Sequence, residues 1–495
     1  MSIGFDTVPG AGTLRKPGVY SEIDNSKAVS GPQAVNYRRL LIGQKLESGT
    51  AAANTLIRIT SPAQADTEFG AGSMLAGMVR AAMAIDTYTE LQVLPLIDNP
   101  AGAAASGTLT FEGPATASGT IELMIAGRRV AVGVLSGDSS TAMAKAAVVA
   151  INAAADMPVV ASTDDGARAT GTVTLTSHHK GDSGNSLDVR VNYYTGQVLP
   201  VGVDVTVTAF SGGTGNPDLG VALAALGDEW FQTWAVPYAD AATLSTIKTE
   251  LNSRFAWNRE IEAHAFVAAR GTSGSLGALG DSHNSAHLVI VMANDEPMPA
   301  YEKAAETMAI AAMYAAIDPA RPIQNLPYAW CLAPAAANRL THQERNLLLF
   351  DGIATTKVNN DGTMLVERLI TTYKTNTAGA PDISYLDSET LFTLMYIRHD
   401  WRDYILRKYP RHKLAADGTR YGIGQAVVTP VVMKAEAIAK FREWETLGLV
   451  ENMADFKANL IAERNPSDPN RVDMVLPPDL VNQLRIVANK IQFRL

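Results

Sequence analysis

What most restricts how this chain folds is its last segment, which alternates like a strand and has nothing after it to pair with. Residues 480–495 read LVNQLRIVANKIQFRL. Leu484 and Ile486 alternate with polar neighbours, Ile491, Phe493 and Leu495 do so again, and Asn489-Lys490 shifts the phase between them. Alternation with period two marks a half-buried strand. A Pro-rich break at 465–479 precedes it, and the terminus follows it. An unpaired apolar strand is an aggregation hazard, so its presence needs a physical reason.

The other end has the same arrangement. Residues 1–17 are rich in Gly and Pro and poor in large apolar groups, too little to hold a fold of their own. Pro17–Ser26, PGVYSEIDNS, is a short strand between breakers, with Val19, Ser21 and Ile23 on one face and Tyr20, Glu22 and Asp24 on the other. Both extremities therefore carry a strand on a flexible tether.

The body between them has an α/β pattern split in two. RRLLIG (38–43) and LQVLPLI (91–97) read as buried strands, and Ser73 caps a helix running to Ile85. From about Ala101 the composition turns to Gly, Thr, Ser and Ala, in short alternating strands interrupted by one helix over Ser139–Ala153. This β-rich insertion ends near the glycines of FSGGTGNPD (210–218). Strands at 230–238, 261–269 and 286–292 then alternate with helices at Ala241–Asn252 and Ala300–Ile317, the pattern of a doubly wound, largely parallel sheet. That sheet is expected to be shared by the segments on either side of the insertion. Further on, Thr341–Phe350 reads as helix, and 353–373 is a hairpin turning at Asp361-Gly362. Ser388–Tyr409 and Thr429–Leu447 are long amphipathic helices, with Ser388 and Thr429 as candidate caps and Pro430 at the first helical position. The expected parts are an N-terminal arm (1–26), a split α/β core (27–100 and 213–340), the insertion (101–212), a helical C-terminal region with a hairpin (341–464) and a C-terminal arm (465–495).

Composition excludes several functions. Of 495 residues, 47% are hydrophobic and 18% charged, enough for a sizeable core and for two to four domains. A net charge of −9 argues against wrapping nucleic acid. One cysteine, Cys331, permits neither an intrachain disulfide nor a thiolate metal cage. The N-terminus has no apolar signal region, and runs such as LVIVMA are far short of a membrane span, so a soluble cytoplasmic product is expected.

Catalytic motifs are weak. GDSGN (181–185) resembles a serine-protease nucleophile loop, but the first histidine, His178, lies only three residues upstream. GTSGSLGALG (271–280) is glycine-rich, yet lacks the lysine of a phosphate loop and the dinucleotide spacing; it reads as a mobile loop. His283 and His287 are four apart but run into a strand, with Asn284 where a zinc-protease glutamate would stand, and His178-His179 point to opposite faces. All four read as loop or surface histidines. The locally basic run from 398 to 420 holds seven Lys/Arg and three Asp. Arg402, Arg407 and Arg411 within it suit an acidic protein surface, such as another copy of this chain, better than nucleic acid.

The order of parts, together with KPGVYSEIDNSKA near the start, THQERN at 341–346, the Asp-Gly hairpin and DMVLPPDLVNQLRIVANKIQFRL at the end, resembles the contractile tail sheath subunits of Mu-like bacteriophages. The resemblance covers nearly the whole chain and is strongest at the termini and from Leu340 onward; the insertion adds little. It implies a virion protein, assembled in the host cytoplasm, polymerising as six-fold rings in a helix around a tail tube, with baseplate and tail terminator proteins as further partners. It implies no cofactor, catalysis, nucleic-acid contact or membrane insertion. Contraction would drive the tube through the host envelope, with residues 10–18 and 465–479 as hinges. Val19, Tyr20 and Ile23 would lie in one strand lent to a neighbour; Leu484, Ile486, Ile491, Phe493 and Leu495 would lie in another. The 353–373 hairpin would help to receive them. Two alternatives remain: an α/β enzyme using the 271–280 loop, and another polymerising component such as a tube or shell protein.

Overall fold

The computed structural model describes residues 37–163 and 170–494. Its centre is an eight-stranded sheet. From one edge to the other the strands are Met364–Arg368, Ile353–Val358, Leu288–Met292, His264–Ala269, Thr233–Ala235, Arg38–Gln44, Glu90–Leu96 and Ile57–Ile59. The six inner strands are parallel, and only the two edge pairs are antiparallel. Arg38–Gln44 pairs with Glu90–Leu96 on one side and Thr233–Ala235 on the other. The segments flanking the insertion thus form one sheet, as the alternating pattern anticipated. Leu40, Leu41, Ile42, Trp234, Phe266 and Val289 are fully buried, as expected for a parallel sheet covered on both faces.

The helices begin where local chemistry allows. Ser73 accepts the Ala76 N–H at 3.1 Å and opens Met74–Ile85. Thr341 and Glu344 form a reciprocal capping box for His342–Phe350. At Ser388–Lys408 the cap position belongs to Asp387, not Ser388, and Thr429 caps Pro430–Thr446 without a side-chain bond.

Residues 104–211 build two antiparallel sheets of their own, one of four strands and one of three, with the Ser140–Ala153 helix packed against them. Buried polar contacts rivet them to the central sheet. Arg128 pairs with the fully buried Glu302 at 2.6 Å. His179 bonds Asp98 through Nδ1 at 3.0 Å and accepts the Met74 N–H through Nε2 at 3.0 Å. Arg190 bridges Asp188 and Asp295.

Beyond residue 396 a second, smaller core forms from Ile397, Ala437, Phe441, Trp444, Leu449, Val450, Phe456 and Leu460. The Ser388–Lys408 helix joins the two cores, since Leu391, Phe392 and Met395 lie in the larger one.

Two of the histidines expected at the surface are buried instead: His179 on the insertion and His287 at the start of its strand. Burial also encloses His264 between Phe266 and Phe392. Desolvation pushes His264 down to about 3 and His287 down to about 4. Both stay neutral in the fold, whereas the unfolded chain takes up protons near pH 6.5. Their contribution is therefore present above that pH and lost as pH falls from about 6.5 toward 4, by up to about 1.4 kcal/mol per pH unit for each ring. The melting temperature should drop between pH 7 and pH 5. H264F should reduce that drop, and an equal drop in both proteins would refute this origin.

Candidate functional site

The C-terminal arm leaves the body through a short series of contacts. Asp479–Leu480 pairs antiparallel with Val450–Glu451, and the Val481 N–H donates to Leu449 O at 3.1 Å. Four residues on, the Arg485 guanidinium enters a pocket of acceptors: Gln324 Oε1, Asp387 Oδ1 and Glu389 Oε1, each at 3.0 Å. The Gln324 amide returns a bond to Leu484 O at 3.4 Å. Beyond Arg485, through Arg494, the backbone pairs with no other segment among the described residues. Leu484, Ile486, Val487, Ile491 and Phe493 are all exposed, Ile486 at 83% and Ile491 at 90%. Leu495, and Val19, Tyr20 and Ile23 of the N-terminal strand, lie outside the described residues.

Next to the arm's root stands a feature that sequence reading missed. Ile461–Arg464 and Val472–Val475 form a two-stranded antiparallel hairpin with Ile461 opposite Val475. It occupies much of the stretch read as a flexible Pro-rich tether. Its turn is ordered: Asn465 accepts the Ser467 and Asp468 N–H groups, and the Asn465 N–H donates to Arg471 O at 2.9 Å. No third strand pairs with either outer edge among the described residues, and Ile461 and Val475 are both half exposed. Two strands alone bury too little to be stable, and here the Pro430–Thr446 helix supports them. The short Met453–Asn459 helix precedes it.

The hairpin anticipated as an acceptor is already covered. Ile353–Val358 and Met364–Arg368 form with the expected turn, Gly362 at φ 86°. The outer edge of Met364–Arg368, however, bonds residues 325–328 of its own chain: Asn325 N to Val366 O at 2.7 Å, Val366 N to Leu326 O at 2.9 Å and Tyr328 N to Met364 O at 2.9 Å.

Three of the seven cations of the basic run are paired internally. Arg402 reaches Glu260 at 3.2 Å, Arg398 pairs with Glu262 at 2.9 Å, and Lys408 pairs with Glu436 at 2.7 Å. Arg407 and Arg411 remain exposed, and no carboxylate lies within ion-pair distance of either among the described residues.

The glycine-rich stretch is a helix, Ser273–Asp281, capped by Thr272, and not a loop. Its glycines serve close packing: a Cβ at Gly280 would lie 2.3 Å from Asp351 O, and one at Gly277 2.5 Å from Asp351 Oδ2. GDSGN is a single turn of 3₁₀ helix, Asp182–Ser186, inside the insertion.

Two models of one family match the chain: the phage tail sheath protein central domain over residues 212–372 and the phage tail sheath C-terminal domain over residues 380–494. The chain belongs to the phage tail sheath family, whose members are structural proteins and not enzymes. Within that family it is a Mu-like contractile tail sheath protein: it is 41% identical, over the full length of both chains, to the Mu-like prophage FluMu tail sheath protein of Haemophilus influenzae. As a phage tail sheath protein it is a virion component. Among solved structures it resembles the sheath tail proteins of Desulfitobacterium hafniense (14% identity, 94% of this chain and 100% of that one, TM-score 0.47) and Listeria innocua (12%, 91% and 93%, TM-score 0.49). It also resembles the contracted helical sheath of the anti-feeding prophage (11%, 97% and 99%, TM-score 0.47). Family membership rests on the sequence matches, not on these distant superpositions.

G280A tests the packing role. The added methyl group would collide with backbone, so the melting temperature should fall by several degrees, equivalent to about 1–3 kcal/mol. A variant as stable as the parent would show that this helix is not held in close contact.

Proposed function

We propose that this sheath protein polymerises as six-fold rings in a helix around a tail tube, linked by strands lent between subunits, and contracts to drive the tube through the host envelope. The observation that supports it most is the arm beyond Arg485, whose backbone pairs with no other segment among the described residues and which exposes Ile486, Val487, Ile491 and Phe493. The two-stranded 461–475 hairpin, with open outer edges, is the proposed acceptor in place of the 353–373 hairpin. Adding strands to it would satisfy main-chain groups of donor and acceptor together. Val19, Tyr20 and Ile23 would form the second lent strand.

The energetics suit collective assembly. About five backbone bonds at roughly 0.5–1.5 kcal/mol each, plus about four large apolar side chains at roughly 1.5–3 kcal/mol each, yield about 9–20 kcal/mol. Ordering about ten residues at roughly 1–2 kcal/mol apiece costs about 10–20 kcal/mol. One arm is close to neutral, so free subunits stay dispersed. In a lattice, each engaged arm raises the local concentration of the next, and the polymer becomes durable.

The proposed division keeps arms at 1–26 and at the C-terminus, but the C-terminal arm starts after Leu480, because 465–475 is an ordered hairpin. In contraction, folded bodies would turn as units about these arms, the insertion at 101–212 facing outward. Tail tube, baseplate and tail terminator proteins are the proposed partners. Arg407 and Arg411 are the proposed electrostatic contacts, with Arg402 the weaker candidate because Glu260 already holds it.

Removing Ile486–Leu495 tests the central claim. The shortened protein should melt within a few degrees of the parent, since these side chains are exposed, yet form no cylinders by negative-stain microscopy. Normal cylinders would refute strand lending by this arm. R407E/R411E should weaken assembly or alter contracted length, and more so at low salt. Unchanged sheath length and stability in both states would remove these two residues from the contact.

A further inference from the structure

The arm is not simply loose, because one side chain ties its root to the body. Arg485 is 12% exposed at the side chain and contacts Gln324, Asp387 and Glu389 at once. Glu389 is fully buried in the first turn of the Ser388–Lys408 helix, and its Oε1 also accepts the Ile323 N–H at 2.6 Å. Arg485 is the only cation within ion-pair distance of Glu389 among the described residues. Asp387 is held from its other side by a two-pronged contact with Arg368, 2.9 Å on each prong. The socket therefore joins the edge of the central sheet, the start of the helix linking the two cores, and the 323–324 loop.

The phase of the arm follows from this contact. Neighbouring side chains on an extended backbone point to opposite sides. With Arg485 turned inward, Leu484 and Ile486 turn outward, and both are exposed. A slip by one residue would exchange the inward and outward sides at 484–486, the start of the arm.

We propose that Arg485 is the positioning residue of the C-terminal arm: its socket fixes how much of the arm is lent and which face it presents. This rests on the strand-lending reading above. Held at Arg485, the arm has ten free residues and reaches about 33–36 Å; freed back to Val481, it has fourteen and reaches about 46–50 Å. The shorter, directed arm is confined to fewer neighbours, with a higher effective concentration at the right one. Arginine suits the task because its planar fork holds its donors in fixed directions, whereas a lysine ammonium is a compact point charge on a flexible stem.

R485A leaves Glu389 buried without a counter-charge, so the decisive variant is E389Q/R485A, in which the glutamine oxygen still accepts the Ile323 N–H. A nitroxide label at L484C, an exposed position beside the socket in a protein whose own Cys331 is buried, should tumble at least threefold faster in the dilute variant than in the dilute parent, with the core unchanged. The variant's cylinders should be fewer, with a broader spread of helical twist than the parent's, and R485K should not restore the twist. Unchanged label mobility would overturn the socket. Faster tumbling with parental cylinders would show a merely structural contact and overturn the positioning role. Restriction of the label seen only at polymerising concentration would place another copy's arginine in the socket and equally overturn it. Normal cylinders from the protein lacking Ile486–Leu495 would instead remove the strand-lending reading, whatever the label shows.

Discussion

A strand is half a structure: its N–H and C=O groups and its apolar face are satisfied only beside another strand. Most of this protein obeys that constraint internally. The central sheet finds partners across more than a hundred intervening residues, and its Met364–Arg368 edge is closed by the chain's own 325–328 segment. Buried charges behave likewise, with Lys303 paired to Glu296 and Glu306 accepting three backbone N–H groups from 329–331. Among the described residues, the arm beyond Arg485 and the outer edges of the 461–475 hairpin lack such partners. The strand lending proposed above would satisfy both together.

The stiffness of the body sets what such an assembly can do. The insertion is no loosely hung appendage, since Arg128, His179 and Arg190 anchor it through buried or half-buried polar contacts whose loss would strand their partners. The Ser388–Lys408 helix threads both hydrophobic cores and carries Asp387 and Glu389 at its start. In the contraction proposed above, change would be concentrated in a few linking residues while the cores keep their packing.

Several motifs that resemble chemistry have structural explanations. Glycines at 277 and 280 let a helix approach Asp351, and His179 accepts the first N–H of the Met74–Ile85 helix. The histidines at 264 and 287 are core residues wedged among aromatic rings. In each case three-dimensional neighbours decide the use of the side chain. Burial cannot be read from a His-rich or Gly-rich string alone, because the groups that enclose it come from distant positions, as Phe255 does for His287 and Phe392 for His264.

The sequence by itself determined the elements whose signals are local and long: the alternating α/β pattern, the Ala300–Ile317 helix, the Asp361-Gly362 turn and the β-rich insertion. Period, capping residues and turn chemistry act within a few residues, so they are legible in a string. Tertiary structure alone decided which edges were closed and which charges were spent. It covered the 353–373 hairpin with residues 325–328, gave Arg402 to Glu260, and folded 461–475 across a seven-residue turn whose prolines looked like a tether. It also turned Arg485, one polar residue in an alternating row, into a buried anchor. Those outcomes depend on encounters between distant segments, and the free energy of such an encounter belongs to the pair and not to either stretch of sequence.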